Sequence, residues 1–435
     1  MRASPGSIPV SQGKVGVMVV SLGRILMFVE NHFPGDVRVK NEADILTAAG
    51  YSVTVVGLRG KNETTASKVV DNIQVYSIPR VNLFTKTRKD NPVGLQRLWL
   101  RIVALMGYMW EYVYFTSACF AMSHYVAVKH GFDVIHAHNP PDTLFLVAAF
   151  YKPFGKKFVF DHHDLCPELY RSRYKADKGF LTSMLGLLEK GSLKLADITI
   201  ATNESYRQIQ IERGGVKPEN IFVVRNGPNL RRVAHRPPNE RLRNMNKCIL
   251  CYVGALNPQD GVDYLLRSLR DLVYKLNRKE FYCVIVGSGD SLENLRALAK
   301  DLKLDGYVEL TGYISDEDLM RNMSAADICV DPDPSSPLND VSTWIKIMEY
   351  MALGKPIVTY DLKETRWSAQ DAALYIKPNN EMEFAEGIAH LMDRPDVRAK
   401  MGEFGRQRIQ RDLKWDIVGQ NLLRAYKTLL GEASV

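Results

Sequence analysis

The stretch NDVSTWIKIMEYMALGKPIV, residues 339–358, decides how the rest of the chain is read. Ser342 or Thr343 suits a helix N-cap, and Trp344, Ile345, Ile347, Met348 and Met351 follow with helical spacing. Gly354 falls where a C′ residue belongs, and Pro356 opens a short apolar run, IVTY, that reads as a buried strand. Lys346 and Glu349 are three residues apart and share a helix face, with Lys346 about 4.5 Å nearer the N-terminus. A helix start with free N–H groups, a cation and then a carboxylate suits a nucleoside diphosphate. The N–H groups and Lys346 would take the phosphates, and Glu349 the ribose hydroxyls.

Outward from this stretch, strand-like runs alternate with helical ones in both halves of the chain, the pattern of doubly wound parallel sheets. In the first half the strands are expected at 24–30, 52–58, 133–138, 157–161, 197–202 and 221–226. The charged, proline-containing stretch 231–247 has no periodicity and reads as a linker. The pattern restarts at 248–254, 281–287, 307–312, 327–331, 356–360 and 373–377. The expected organisation is an extension over 1–20, a Rossmann-like domain over 21–230, the linker, and a second such domain over 248–414. The apolar run 98–128 is interrupted by Arg101, Glu111 and His124 and reads as a buried helix of the first domain, with a membrane-touching helix as the alternative.

At 435 residues the chain is too long for one compact α/β domain. Its charge is uneven: residues 1–250 hold 34 Lys and Arg against 20 Asp and Glu, a net of +14, and the remainder nets −6. The basic half implies an anionic partner. Its cations are scattered and no aromatic RNA-binding motif accompanies them, which favours a membrane surface over nucleic acid. The six cysteines fall mainly in apolar runs, as reduced thiols of a cytoplasmic protein do, and Cys248-x-x-Cys251 lies inside a strand.

Several segments lie where ligands of open parallel sheets bind, at the carboxyl ends of strands. DHHDLCPELY (161–170) offers His162, His163, Asp164 and Glu168. In DVIHAHNPPDTL (133–144), His136 and His138 alternate with Ala137 and face one side. They could bind zinc, but no third ligand stands at a suitable spacing. ENHFPGDVRVKNEA (30–43) places Gly35 before a helix start, with Arg38 as the adjacent cation. VRNGPN (224–229) and VGSGDSL (286–292) add two glycine turns, the second too incomplete for a dinucleotide fingerprint.

These segments together resemble the family 4 glycosyltransferases of the GT-B fold, above all the bacterial surface-polysaccharide branch with the helix K-x-x-E-Y-M-A-x-G-K-P. The resemblance implies two Rossmann-like domains facing a central cleft, with 415–435 returning onto the first. It implies a retaining, metal-independent transfer of a hexose or N-acetylhexosamine from a nucleotide sugar, UDP-linked in preference to GDP-linked, with no cofactor. The implied acceptor is a glycan on a polyprenyl diphosphate, met at the cytoplasmic face of the cell envelope by a peripheral enzyme. His163, Asp340 and Glu349 are then the catalytic candidates. Gly35, Arg225, Asn226, Gly254, Gly287, Gly289, Ser342, Thr343, Lys346 and Glu349 would bind donor. Arg38, His138, Asp164 and Glu168 would face the acceptor, and no metal site is implied.

Two departures from the family pattern stand out. The loop after the first strand of the second domain, GALNPQD (254–260), has Ala255 and Asp260 where the family carries its diphosphate-binding Arg and Lys. The family's Glu-x7-Glu spacing, counted back from Glu349, reaches Val341, with Asp340 one residue off. Lys346 or Arg225 is therefore expected to replace the lost charge, and Asp340 or Asn339 to contact sugar hydroxyls. Asp331-x-Asp333 follows a strand in a two-Rossmann chain and is not read as the metal-binding D-x-D of the other glycosyltransferase fold. A nucleotide-sugar 2-epimerase of the same fold, or a non-catalytic relative that binds a partner, are the alternatives.

Overall fold

The computed structural model describes residues 21–60, 63–81, 95–174 and 179–431. The expected extension over 1–20 lies outside the described residues, as do the last four. The first domain is built on an eight-stranded sheet. Its strands are β1 (Arg24–Val29), β2 (Ser52–Leu58), β3 (Ser67–Val70), β4 (Ile73–Ile78), β5 (Val134–His138), β6 (Lys157–His162), β7 (Ile198–Ala201) and β8 (Ile221–Val223). Their order is β3-β4-β2-β1-β5-β6-β7-β8, parallel except for β3, which pairs antiparallel with β4. The hairpin β3–β4 is absent from the sequence reading, which passes from 58 to 133 without a strand. Ile73 and Val75 are buried in the core while Gln74 between them is not, but Tyr76, Ser77 and Ile78 are all buried, so the period-2 signal is confined to three residues.

The second domain has six parallel strands in the order β11-β10-β9-β12-β13-β14. These are β9 (Cys248–Val253), β10 (Phe281–Val286), β11 (Val308–Gly312), β12 (Ile328–Asp331), β13 (Ile357–Tyr360) and β14 (Ala373–Ile376). Each sheet has a hydrophobic cluster on both faces, so its central strands are mostly apolar up to their carboxyl ends. No disulfide forms among the cysteines, and Cys251 is wholly buried.

Segment 231–247 is more ordered than its composition suggests. Asn239 caps a one-turn helix, Glu240–Arg243, and Leu242 and Val233 are buried among second-domain residues such as Ile249 and Met320. At the chain's end, helix Gln420–Leu430 lays Leu422, Ala425 and Tyr426 against Ile25, Met27, Val39 and Ala43 of the first domain. The crossing is tight. A Cβ on Gly227 would stand 2.2 Å from the Leu413 carbonyl oxygen, so only glycine fits there.

Helix Leu95–Lys129 differs from the expected buried helix. Phe115, Cys119 and Val126 face the core, while Met106, Val113 and Val128 are exposed. Among the described residues no helix is long and apolar enough to cross a membrane.

Candidate active site

The two domains meet beside the carboxyl ends of several strands, with Asn203 after β7 bonded to Val341 and Thr343 of the second domain. On the first-domain side, β5 and β6 end beside one another in register, His138 opposite Asp161. Strand alternation sends His162 and His163 to opposite sides. His162 is buried near Glu189, and burial drives its pKa down to about 3. His163 turns into a polar cluster, with Nε2 2.9 Å from Asp161 Oδ2 and 3.2 Å from His138 Nδ1. Its Nδ1 has no hydrogen-bond partner among the described residues. Asn139 fixes the loop: its Oδ1 accepts from the backbone N–H of His163 and Asp164, and its Nδ2 donates to the Asp164 carbonyl.

Glu168, one of the expected acceptor-side residues, is ion-paired to Arg213 at 2.7 Å. Asp164 contributes its backbone to the Asn139 clamp. Asp36 caps helix Val37–Ala48 and pairs with Arg38 at 3.1 Å, so the Arg38 charge is already countered. Gly35 lies exposed in the preceding loop.

Beneath His163 lies a set that the sequence reading did not assemble. Glu42, His136, His138 and Asp161 place one potential ligand atom each within 4.8 Å of the others, a grouping that could hold a metal ion. The histidine pair does therefore have further ligands nearby, brought by the fold and not by sequence spacing. The set also balances its charge without an ion. Burial and the adjacent Asp161 push the Glu42 carboxyl well above the ordinary carboxylate range. Burial works to raise Asp161 too, but His163 and hydrogen bonds to the histidines hold it well below that range. One ionised carboxylate among imidazoles costs far less than two side by side. Burial takes His138 down to about 3, and Tyr426 Oη stands 2.9 Å from His136 Nδ1, which ties the returning helix to this cluster.

On the second-domain side, helix Ile345–Ala352 begins one residue later than expected. Trp344 is the N-cap and no side chain caps the helix. The Ser342 hydroxyl donates to the Leu338 carbonyl at 2.7 Å, and Thr343 Oγ1 accepts from Asn203 Nδ2 of the first domain at 2.9 Å. The helix start is left without a side-chain acceptor for its N–H groups, the arrangement that binds anions.

Lys346 does not face the cleft. Its ammonium is buried between Asp331, at 2.9 Å, and Asp333, at 2.5 Å. It is an internal ion triad, so the expectation that Lys346 grips the diphosphate is corrected. The same contacts bear on Asp331-x-Asp333, whose carboxylates close on the lysine. Arg225 is likewise engaged. It pairs with Glu364 at 3.3 Å and its guanidinium stacks 3.3 Å from the Trp367 ring centre. With Ser205 Oγ donating to Glu364 at 2.6 Å and Asn203 bonded to Val341 and Thr343, these residues hold the two domains together behind the site.

Glu349 is buried beside a small crevice between the domains, among Asn226, Asn229, Arg38 and Arg232. Its Oε1 accepts from Arg232, the residue that sequence reasoning missed. Arg232 lies in the segment read as an aperiodic linker; its only signal was a run of basic residues between two domains. Asp340 keeps Oδ1 without a partner among the described residues, while Oδ2 accepts from Ser335. Asn339 is turned inward, donating to the Gln259 and Pro334 carbonyls.

Gly254 and Gly287 meet at the tips of β9 and β10. Gly287 has φ +150°, and a Cβ there would stand 1.8 Å from the Gly254 carbonyl oxygen, so this glycine is required by the strand contact itself. Gly289 and Ala255 lie exposed at the same edge.

Two family descriptions match the chain in succession: Glycosyltransferase Family 4 over residues 36–232 and Glycosyl transferases group 1 over residues 236–408. The chain belongs to the family 4 glycosyltransferases. Its two parallel-sheet domains have the GT-B fold of solved members of that class. Over 94% of this chain and 100% of the other, it superimposes on sucrose-phosphate synthase of Thermosynechococcus elongatus with a TM-score of 0.71 at 16% identity. The corresponding figures for Anabaena HepE in complex with UDP and glucose are 94%, 100%, 0.68 and 15%. Among curated relatives, phosphatidyl-myo-inositol mannosyltransferase of Mycobacterium leprae is 23% identical over 71% of this chain and 76% of its own length. The chain spans about half the length of the first curated relatives it matches.

Proposed function

We propose that the protein transfers a hexosyl or N-acetylhexosaminyl group from a nucleotide sugar to a lipid-linked glycan acceptor, with retention and without a metal ion. The reading is supported by one arrangement: an uncapped helix start at Trp344–Ile345 followed one turn later by Glu349, with Ile345 and Glu349 lining a small crevice between the domains. The N–H groups of the helix start at Trp344–Ile345 would hold the diphosphate and Glu349 the ribose hydroxyls. Arg232, now on Glu349, is the cation within reach of the phosphates and takes the part first assigned to Lys346 or Arg225. Asp340, with one free carboxylate oxygen, would contact sugar hydroxyls.

His163 would hydrogen-bond the donor sugar through Nδ1 while Asp161 holds the ring. As the bond between the anomeric carbon and the phosphate oxygen breaks, the acceptor oxygen bonds to that carbon from the same face. The acceptor proton passes to the departing phosphate oxygen. Metal independence is supported by the closure of Asp331 and Asp333 on Lys346, which leaves that pair no site for a divalent cation. UDP is favoured as the nucleotide because the superimposable HepE binds it, and the lipid-linked acceptor draws support from the phosphatidylinositol-directed relative. The basic first half fits a peripheral enzyme at the cytoplasmic face of the plasma membrane, engaged in envelope polysaccharide assembly.

The test is turnover of UDP- and GDP-linked hexoses with a lipid-linked glycan acceptor panel in excess chelator. Glycoside formation with the donor's anomeric configuration is expected, at the rate seen without chelator. Epimerised donor formed without acceptor, or activity abolished by chelator and restored by a divalent ion, would contradict it.

A further inference from the structure

A cavity of about 350 Å³ lies in the first domain between helix Leu95–Lys129 and helices Cys166–Tyr174 and Phe180–Leu195. That volume is within the range of small-molecule sites, about 300–1,000 Å³. Its walls are apolar: Met109 and Phe115 from the long helix, Leu169 from the second, Leu185 and Leu188 from the third. Its inner end reaches Pro140 and Cys166. Pro140 follows Asn139, the clamp of the His163 loop, and Cys166 Sγ lies 3.7 Å from Asn139 Nδ2. The cavity therefore runs from the protein surface to the candidate catalytic loop.

Its outer lips are also apolar. On the long helix Trp99, Met106, Val113 and Phe120 recur every seventh residue, with exposures of 65%, 50%, 55% and 37%, and so form one stripe. On the facing helix Phe180 and Leu187, again seven apart, are 82% and 70% exposed. Exposed apolar stripes on both sides of an apolar opening mark a surface that meets something apolar. The surrounding half of the chain carries a net charge of +14, which complements an anionic bilayer.

We infer that this cavity receives the hydrocarbon chain of the acceptor, drawn from the bilayer between the two lips, and so sets the acceptor's polar end at His163. This rests on the proposed transfer to a lipid-linked acceptor and names the part of the fold that selects it. The lining sets Arg80 and Arg173 against Glu30 and Glu111, so its charges balance, and it is the apolar chain that its walls select.

The probe is dodecyl phosphate, titrated calorimetrically below its micellar concentration into the full-length protein, with inorganic phosphate as the control. Saturable one-to-one binding is expected, absent with inorganic phosphate. Leu185→Trp, which fills the cavity, is expected to weaken it by about tenfold or more. Met184→Phe serves as a milder filling variant should Leu185→Trp lower the melting temperature. Leu187→Ser, on the outer lip, should leave dodecyl phosphate binding intact and reduce cosedimentation with phosphatidylglycerol vesicles. Filling variants that stay folded and bind the probe like wild type would overturn the assignment, as would equal binding of inorganic phosphate. UDP binding, measured on the same samples, separates the readings: UDP bound without dodecyl phosphate sinks only the chain site. Dodecyl phosphate bound without UDP sinks the proposed transferase.

Discussion

His163→Ala is expected to lower kcat by about 10²–10³ while changing the donor KM only a few-fold. The ring stands at the carboxyl end of β6, where a ligand of a parallel sheet is met. Its Nε2 lies 2.9 Å from Asp161, and its buried Nδ1 has no partner among the described residues, which is the nitrogen the proposed function gives to the donor sugar. A group in that position contributes chiefly as positive charge develops at the anomeric carbon, so its loss should appear in kcat. The substitution removes an imidazole from a cluster that retains Asp161, His136, His138 and Glu42, so the fold should survive. Steady-state kinetics on protein with an unchanged melting curve checks this. A kcat equal to wild type would move catalysis away from β6. His162→Ala serves as the contrast: that side chain is buried near Glu189, and its loss should show in stability and not in selectivity between substrates.

Lys346→Met should act on stability. Removing the ammonium leaves Asp331 and Asp333 buried without their cation, and breaking one partner of a buried pair costs about 3–5 kcal/mol. For a domain of this size that lowers the melting temperature by on the order of 10 °C. A differential scanning trace of the variant beside wild type provides the measurement. Had Lys346 held the diphosphate, the same substitution would raise the donor KM and leave the melting temperature alone. That outcome would restore the role assigned from the sequence.

These two residues show where sequence reading succeeds and where it stops. Helix Ile345–Ala352 and its strand were legible because apolar spacing, Gly354 in a left-handed conformation at φ +66° and Pro356 all act locally. The i, i+3 spacing rightly placed Lys346 and Glu349 on neighbouring parts of one helix. It could not tell that β12 supplies two carboxylates to the first, while Arg232 and Asn226 crowd the second. Those neighbours are distant in the chain, and the fold alone brings them together. The histidines follow the same logic. Alternation separates His162 from His163, yet only the fold shows that His163 joins Asp161 and His138 while its backbone N–H is held by Asn139. Arg225 looked free in a glycine turn because Glu364 and Trp367 belong to the other domain. Arg232 went unnoticed because 231–247 has no periodicity of its own. Its packing comes from Val233 and Leu242 against a core assembled elsewhere.

The central claim is that the uncapped helix start and Glu349 seat a nucleoside diphosphate. Calorimetric titration of UDP, with GDP as the second nucleotide, into wild type and Glu349→Ala tests it most directly. Saturable binding is predicted for wild type, weakened by about 10–100-fold in the variant through loss of charge-assisted hydrogen bonds of about 1.5–3 kcal/mol. Equal affinity in the two proteins, or no binding of either nucleotide by wild type, would contradict the account.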